Sequence, residues 1–209
     1  MRLDLHIHTK YSKDSNLDTS EVIKVSKKRG LDGIAVTEHN TIRGGLKAQK
    51  LNDDLDFKII IGSEVHTDRG EVIGYFLNEE IKSRDLYEVI DEMRAQDAVI
   101  AIPHPYDVFR FSSLKPDEDI LKLVDCIEAF NARCMFSRFN RRAKELAGNT
   151  GLAMTAGSDA HTLSEIGAGW VLLPGETGIR DEILKNTEVF GKVSPFYVHF
   201  YSTMTKILK

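Results

Sequence analysis

Nine side chains of metal-ligand type punctuate the chain, nearly all of them just after a short apolar run. His6 and His8 stand in LDLHIHT, Asp14 in YSKDS and His39 in GIAVTEHN. Glu64 follows in IIIGSEVHT, Glu71 in GEVIGYF and His104 in VIAIPHP, with Asp159 and His161 closing the series in AGSDAH. Imidazole nitrogens and carboxylate oxygens without a thiolate suit zinc, manganese or iron, and the donor types alone do not choose among them. Recurrence at the ends of successive β-like runs points to one polynuclear metal site assembled from the whole fold.

Each residue also has a plainer reading. Residues two apart on a strand point the same way, so His6 and His8 can reach one ion. An isolated His-x-His is equally well a pair of hydrogen-bonded histidines. Asp159 and His161 repeat the spacing near the other end of the chain, which shifts the balance towards metal. Glu64 follows an Ile-rich run expected to be buried, where an unpaired carboxylate is costly. Its partner is either an arginine or a metal, and a carboxylate able to bridge two ions favours the metal. His104 lies between prolines that fix the backbone and hence the imidazole direction.

These residues need a frame that brings them together. Leu3, Leu5 and Ile7 alternate with Asp4, His6 and His8, the pattern of a strand with one polar face. A helix is expected from Asp18, with Glu21 completing a capping box and Gly30 as the stop. Strands follow at GIAVTEH, KIIIGSEVHT, EVIGYFL, AVIAIPHP, CIEAFN, AMTAG and GWVLL. Helices are expected at 45–51, 85–96, from Pro116–Asp117 through ILKLV, at 137–147 and at 179–185. Strands alternating with helices predict an α/β fold with a largely parallel sheet. About seven such units with functional residues at the strand ends favour a TIM-like barrel, whose site lies at the C-terminal mouth. Residues 1–209 read as a single domain, and the aromatic tail from Ser194 to Lys209 is expected to pack on the barrel.

Bulk properties narrow the function classes. Hydrophobic residues make up 42% and charged residues 29% of 209 residues, an ordinary globular composition. A formal charge of −4 excludes a broad basic field for holding long nucleic acid. Cys126 and Cys134 are the only cysteines, too few for a disulfide framework and read as reduced thiols. Met1 leads directly into LDLHIH without a leader pattern, and no apolar run reaches membrane-spanning length. A cytoplasmic protein without membrane association is expected.

Taken in order, DLHIHTKYSKDS, GIAVTEHNT, GSEVHT, IAIPHP, IEAFNAR and AGSDAH resemble the PHP (polymerase and histidinol phosphatase) family of metal-dependent phosphoesterases. The resemblance covers residues 3 to about 170. It implies a distorted (β/α)7 barrel with two or three divalent ions at the C-terminal mouth. Carried across, His6, His8, Glu64 and Asp159 look like ligands of a first ion. Glu64 would bridge to a second ion that also takes His104, while Asp14, His39 and His161 would hold a third. The implied reaction is attack of a metal-bridging hydroxide on a small phosphomonoester, such as a nucleotide or nucleoside bisphosphate. Asp159 or His161 would shuttle a proton, and Arg133 would grip the phosphate.

This chain departs from the family pattern at two places. Relatives often carry Asp where Glu38 stands, and often His where Glu71 stands. Glu71 is then either a ligand that favours a harder ion or a solvated strand-end charge. Glu128 is expected to orient a ligand, and His66 either touches substrate or is structural. His199 is read as structural, Arg43 and Lys10 as weaker phosphate candidates, and Arg138, Arg141, Arg142 and Lys144 as a solvated helix face. Two rival functions stay open: an exonuclease acting on short single strands, and a non-catalytic metal-binding module. The oligomeric state is not legible in the chain.

Overall fold

A computed structural model describes residues 1–110, 112–185 and 187–209. The chain begins with β1 (Arg2–Ile7), α1 (Thr19–Lys28), β2 (Gly33–His39), α2 (Arg43–Leu51), β3 (Lys58–Thr67) and β4 (Gly70–Tyr75). It continues with α3 (Leu86–Ala95), β5 (Val99–Ile102), α4 (Glu118–Leu121), β6 (Cys126–Asn131), α5 (Ser137–Thr150) and β7 (Ala153–Gly157). Last come β8 (Gly169–Leu172), α6 (Ile179–Ile183), β9 (Glu188–Gly191) and α7 (Tyr197–Leu208). Asp18, Asp85 and Asp117 each accept backbone N–H groups at a helix start. Such caps stabilise by about 1 kcal/mol apiece. At Asp18 the described partner is Ser20, not the reciprocal Glu21 contact expected of a capping box. Among the described residues, no helix is long and apolar enough to cross a membrane.

One sheet runs in the order β7-β6-β5-β4-β3-β2-β1-β8-β9. It curls into a nearly closed barrel, because the end of β7 also reaches β1. Ile7 bridges Ala160, His8 N donates to Ala160 O at 3.1 Å, and Asp159 N donates to His6 O at 2.7 Å. β8 pairs with β1 antiparallel at the opposite end, through Arg2 and Leu3. The expected parallel pattern holds for β1–β2–β3 and β5–β6–β7 but breaks at β4, which is antiparallel to both neighbours. The reason is local. Asp68 and Arg69 alone separate β3 from β4, too short a link for the crossover a parallel pair needs. Reversal places the first residues of β4, Glu71 among them, at the mouth.

A second departure concerns β1, whose alternating sequence does not translate into two alternating faces. Its register against β2 slips between Asp4 and Ile7, a β-bulge. Leu3 and Leu5 fill the barrel interior with Ala35, Ile60, Tyr75 and Ala101, whereas Ile7 joins the outer layer with Val22, Ile34 and Val36. The extra residue therefore turns His6 and His8 into the mouth above Leu3 and Leu5, the re-aiming that bulges near active sites provide. β6 carries a similar slip between Glu128 and Phe130.

α7 lies outside the expected pattern in part. It packs through Val198, Ser202 and Thr205, while the aromatic residues Phe196, Tyr197, Phe200 and Tyr201 are exposed. Small and β-branched side chains, not the aromatic ones, make the contact of the tail.

Gly157 sits where β7 crosses closest to β1, and an added Cβ would overlap the Cβ of His6. Gly157→Ala is expected to lower stability by about 1–3 kcal/mol through overpacking. A urea-unfolding midpoint equal to that of the wild type would show that the two strands have slack there.

Candidate metal centre

The barrel mouth gathers all nine candidate ligands, and their immediate partners decide which atoms are free. His6 Nδ1–H donates to Glu128 Oε1 at 2.8 Å. Ser12 Oγ–H donates to Glu38 Oε2 at 2.5 Å, so His8 Nδ1–H must donate to Ser12 Oγ, 3.1 Å away. His161 Nδ1 faces the carbonyl of Asp159 at 2.8 Å, and only the imidazole can donate there. In all three rings the Nδ1 proton is committed, which leaves Nε2 as a lone pair. Carboxylates and carbonyls that orient imidazoles in this way are the usual support of metal ligands.

Those lone pairs face other acceptors. His6 Nε2 and His8 Nε2 are 3.1 Å apart. Glu64 Oε2 lies 3.4 Å from both nitrogens. Asp159 Oδ1 lies 3.7 Å from His6 Nε2 and 3.3 Å from His8 Nε2. A tetrahedral ion with nitrogen and oxygen ligands at roughly 2.0–2.2 Å has ligand–ligand edges of about 3.3–3.6 Å. The arrangement fits a divalent cation. Glu64 Oε2 and Asp159 Oδ1 are moreover buried without a hydrogen-bond partner.

Two further groups adjoin the first. Glu64 turns its other oxygen, Oε1, to His104 Nε2 at 2.9 Å, and Glu71 Oε2 lies 3.7 Å from that nitrogen. Asp14 places Oδ2 3.3 Å from His39 Nε2 and Oδ1 3.4 Å from His161 Nε2. Glu64, Glu71 and His104 offer ligand atoms within 4.8 Å of one another, as do His8, His39 and His161. The carboxylate of Glu64 thus stands between two groups. Glu71, 2% exposed, is not a solvated charge.

Electrostatics agree with a site suited to a cation. Burial opposes charge on His6, yet Asp159, Glu128 and Glu64 outweigh it and hold its pKa well above the ordinary imidazole value. His39 is likewise raised to about 9, burial being overcome by Asp14, Glu64 and Glu71. His8 falls to about 3, through burial first and then its neighbours His161 and His39. Asp14 is held far below the carboxylate range despite burial, by His161 and His39. Protons on His6 and His39 supply the charge that divalent ions would supply.

Backbone strain marks the same residues. His104 and Asp159 adopt φ of 29° and 54°, which non-glycine residues rarely take. Glu38, longer than an aspartate, is buried and accepts from Thr9 N and Ser12 Oγ. It fits because Gly44 faces it, where a Cβ would overlap Glu38 Oε1.

Four residues escaped the sequence reading. Ser12 holds His8, Asn131 Nδ2 donates to Glu128 and Asp159, and Glu165 accepts from the backbone of His161. Arg110 brings Nη2 to 2.5 Å from Asp159 Oδ2 and pairs with Asp107. Ser12 and Asn131 lay inside motifs already singled out, whereas no periodicity marks Arg110. Arg133, expected to grip a phosphate, has its own partners, and its Nε is buried without a well-aligned hydrogen bond. It is 4% exposed, pairs with Glu165 and donates to Ser202 Oγ on α7. Lys10 is in a surface pair with Asp18, and Arg43 stacks over Tyr11. Arg138 and Arg142 lie over aromatic rings, the latter over Tyr106 at 4.1 Å.

A family model for the PHP-associated region (PHP_C) matches residues 137–187. The uncharacterized protein MJ0417 of Methanocaldococcus jannaschii is 38% identical over 177 residues, 82% of this chain and 70% of the relative. MJ1587 of the same organism is 43% identical over 117 residues, 51% of this chain and 68% of the relative. Among solved structures, a two-domain protein of Bacteroides vulgatus containing a predicted PHP-like metal-dependent phosphoesterase shares the fold. Its TM-score is 0.77 at 18% identity, over 98% of this chain and 69% of that one.

Two outcomes are expected of this geometry. Glu128→Ala should weaken metal binding about 10–100-fold in chelator competition, since His6 loses its anchor; unchanged affinity would mean Glu128 does not orient it. Because ions must displace protons from His6 and His39, apparent affinity should fall as pH is lowered from about 9, with proton release on loading. Calorimetric enthalpies independent of buffer ionisation would contradict that.

Proposed function

The chain belongs to the PHP domain family, and on that premise we propose that it is a metal-dependent phosphoesterase acting on a small phosphomonoester. The observation that carries the proposal is the His6 and His8 Nε2 pair, 3.1 Å apart, with oxygens of Glu64 and Asp159 each 3.3–3.7 Å from both nitrogens. Divalent zinc, manganese or iron held there would supply water activation and neutralisation of phosphoryl charge. Glu64 would join the first and second subsites, Glu71 and His104 completing the second and Asp14, His39 and His161 the third.

The chain's own groups supply the rest. Glu128, Ser12 and the Asp159 carbonyl hold imidazoles in the tautomer that presents Nε2. Arg110 Nη2 is buried without a well-aligned hydrogen bond beside Asp159, so a phosphoryl oxygen entering the mouth would find a donor there. We assign to Arg110 the phosphate contact expected of Arg133. Asp159 or His161 would pass a proton to the leaving oxygen.

Substrate size follows from the walls. A cavity of about 470 Å³ opens beside Tyr106, Arg110 and Arg142, and another of about 510 Å³ lies between His161 and the α7 residues Tyr197 and Tyr201. Both are of nucleotide scale. A nucleotide, a nucleoside bisphosphate or the end of a short oligonucleotide would fit. Burial of both free cysteines accords with a cytoplasmic setting.

The test is a phosphate-release screen of metal-loaded protein over nucleotides, bisphosphates, dinucleotides and sugar phosphates. Turnover is expected on at least one monoester, with His6→Ala losing metal and at least about 100-fold in rate. Mononucleotides released from a labelled single strand would favour the exonuclease instead. Full metal loading without turnover on any phosphoester would make the protein a binding module.

A further inference from the structure

His66 stands outside the ligand groups described above, half-exposed at the rim of the mouth. The register of the β3–β4 hairpin sets it directly opposite Glu71. Its Nδ1 lies 2.7 Å from Glu71 Oε1, while Oε2 of that carboxylate faces His104 Nε2 at 3.7 Å. One oxygen is therefore held and the other presented. A surface ion pair would leave Glu71 exposed and contribute little. Here Glu71 is 2% exposed, and its free oxygen points at a candidate ligand.

The backbone that carries the imidazole is itself held. His66 N donates to Asn40 Oδ1 at 3.0 Å, and Asn40 N donates to Glu64 O at 2.9 Å. Asn40 takes φ of 58°, a left-handed conformation that asparagine tolerates better than most residues. It directly follows His39, so one residue ties the ends of β2 and β3 and sets His39, Glu64 and His66 relative to each other. His39, His66 and Glu71 all offer ligand-type atoms within 4.8 Å. His39 Nδ1, buried and without a hydrogen-bond partner, lies 3.7 Å from Glu71 Oε1.

We propose that His66 is a positioning residue of the second metal subsite: it holds Glu71 by one oxygen so that the other joins Glu64 and His104. The inference rests on the metal-centre reading and adds to it a residue and a role. A glutamate has three side-chain torsions, and without an anchor its carboxylate can swing away from the ion. A hydrogen bond from across the hairpin removes that freedom, whether His66 is neutral or protonated, since Nδ1–H donates in both states. The resulting subsite has two carboxylates and one imidazole, a harder donor set than one with two imidazoles.

Metal-free protein titrated with Zn(II) or Mn(II) alone against a chromophoric chelator tests this without reference to activity. His66→Ala should weaken one class of sites about 10–100-fold and leave the others unchanged. His66→Asn, which keeps a donor, should recover part of the loss. In a Glu71→His background, where no carboxylate needs holding, His66→Ala should change nothing. Equal metal binding by wild type and His66→Ala would overturn the proposal alone, as would an equal loss in the Glu71→His background. A wild type that binds no metal would overturn it together with the metal-centre reading.

Discussion

Two imidazole Nε2 atoms that face each other at 3.1 Å in a buried pocket need a proton or a metal cation between them, and the architecture of the mouth follows from that requirement. Glu128, Ser12 and a backbone carbonyl each take the Nδ1 proton of a histidine. The Nε2 atoms that remain converge on buried carboxylates. Without a cation the cluster is repulsive and can be neutralised only by protons, which is why His6 and His39 hold theirs so firmly. The fold accordingly keeps several carboxylates ionised at one end of a barrel.

Three backbone devices make the convergence possible. The bulge in β1 turns two histidines inward over Leu3 and Leu5, which fill the barrel beneath them. The reversal of β4 brings Glu71 to the mouth from the start of a strand, where the parallel strands deliver their ligands from the end. Gly157 lets β7 close on β1, so that Asp159 and His161 arrive beside His6 and His8. Positive φ at His104 and Asp159 is the local cost of aiming them, about 1–3 kcal/mol each. Hydrogen bonds from His104 N to Glu128 and from Asp159 N to His6 O help hold those two residues in place.

Much of this was legible in the chain, and the exceptions have physical causes. Ligand-type residues after apolar runs, capping aspartates and the 126–131 strand could be read directly, because they depend on neighbours in sequence. The bulge could not, since LDLHIH alternates faithfully and only its register against β2 shows the slip. The surroundings of Arg133 and Arg110 were hidden for a similar reason. Both are single arginines in loops after strands, and only tertiary contacts set Arg133 beside Glu165 and Ser202 and Arg110 beside Asp159. His66 could be read only as a substrate contact or a structural residue, because its use depends on a cross-strand partner that the tight Asp68–Arg69 turn places opposite.

The most direct test of the central claim is an anomalous-difference map from crystals grown with a single divalent transition metal. The account predicts a peak within roughly 2.0–2.2 Å of His6 Nε2, His8 Nε2 and the nearer oxygens of Glu64 and Asp159. Those four side chains with no peak among them, at saturating metal and neutral pH, would contradict it.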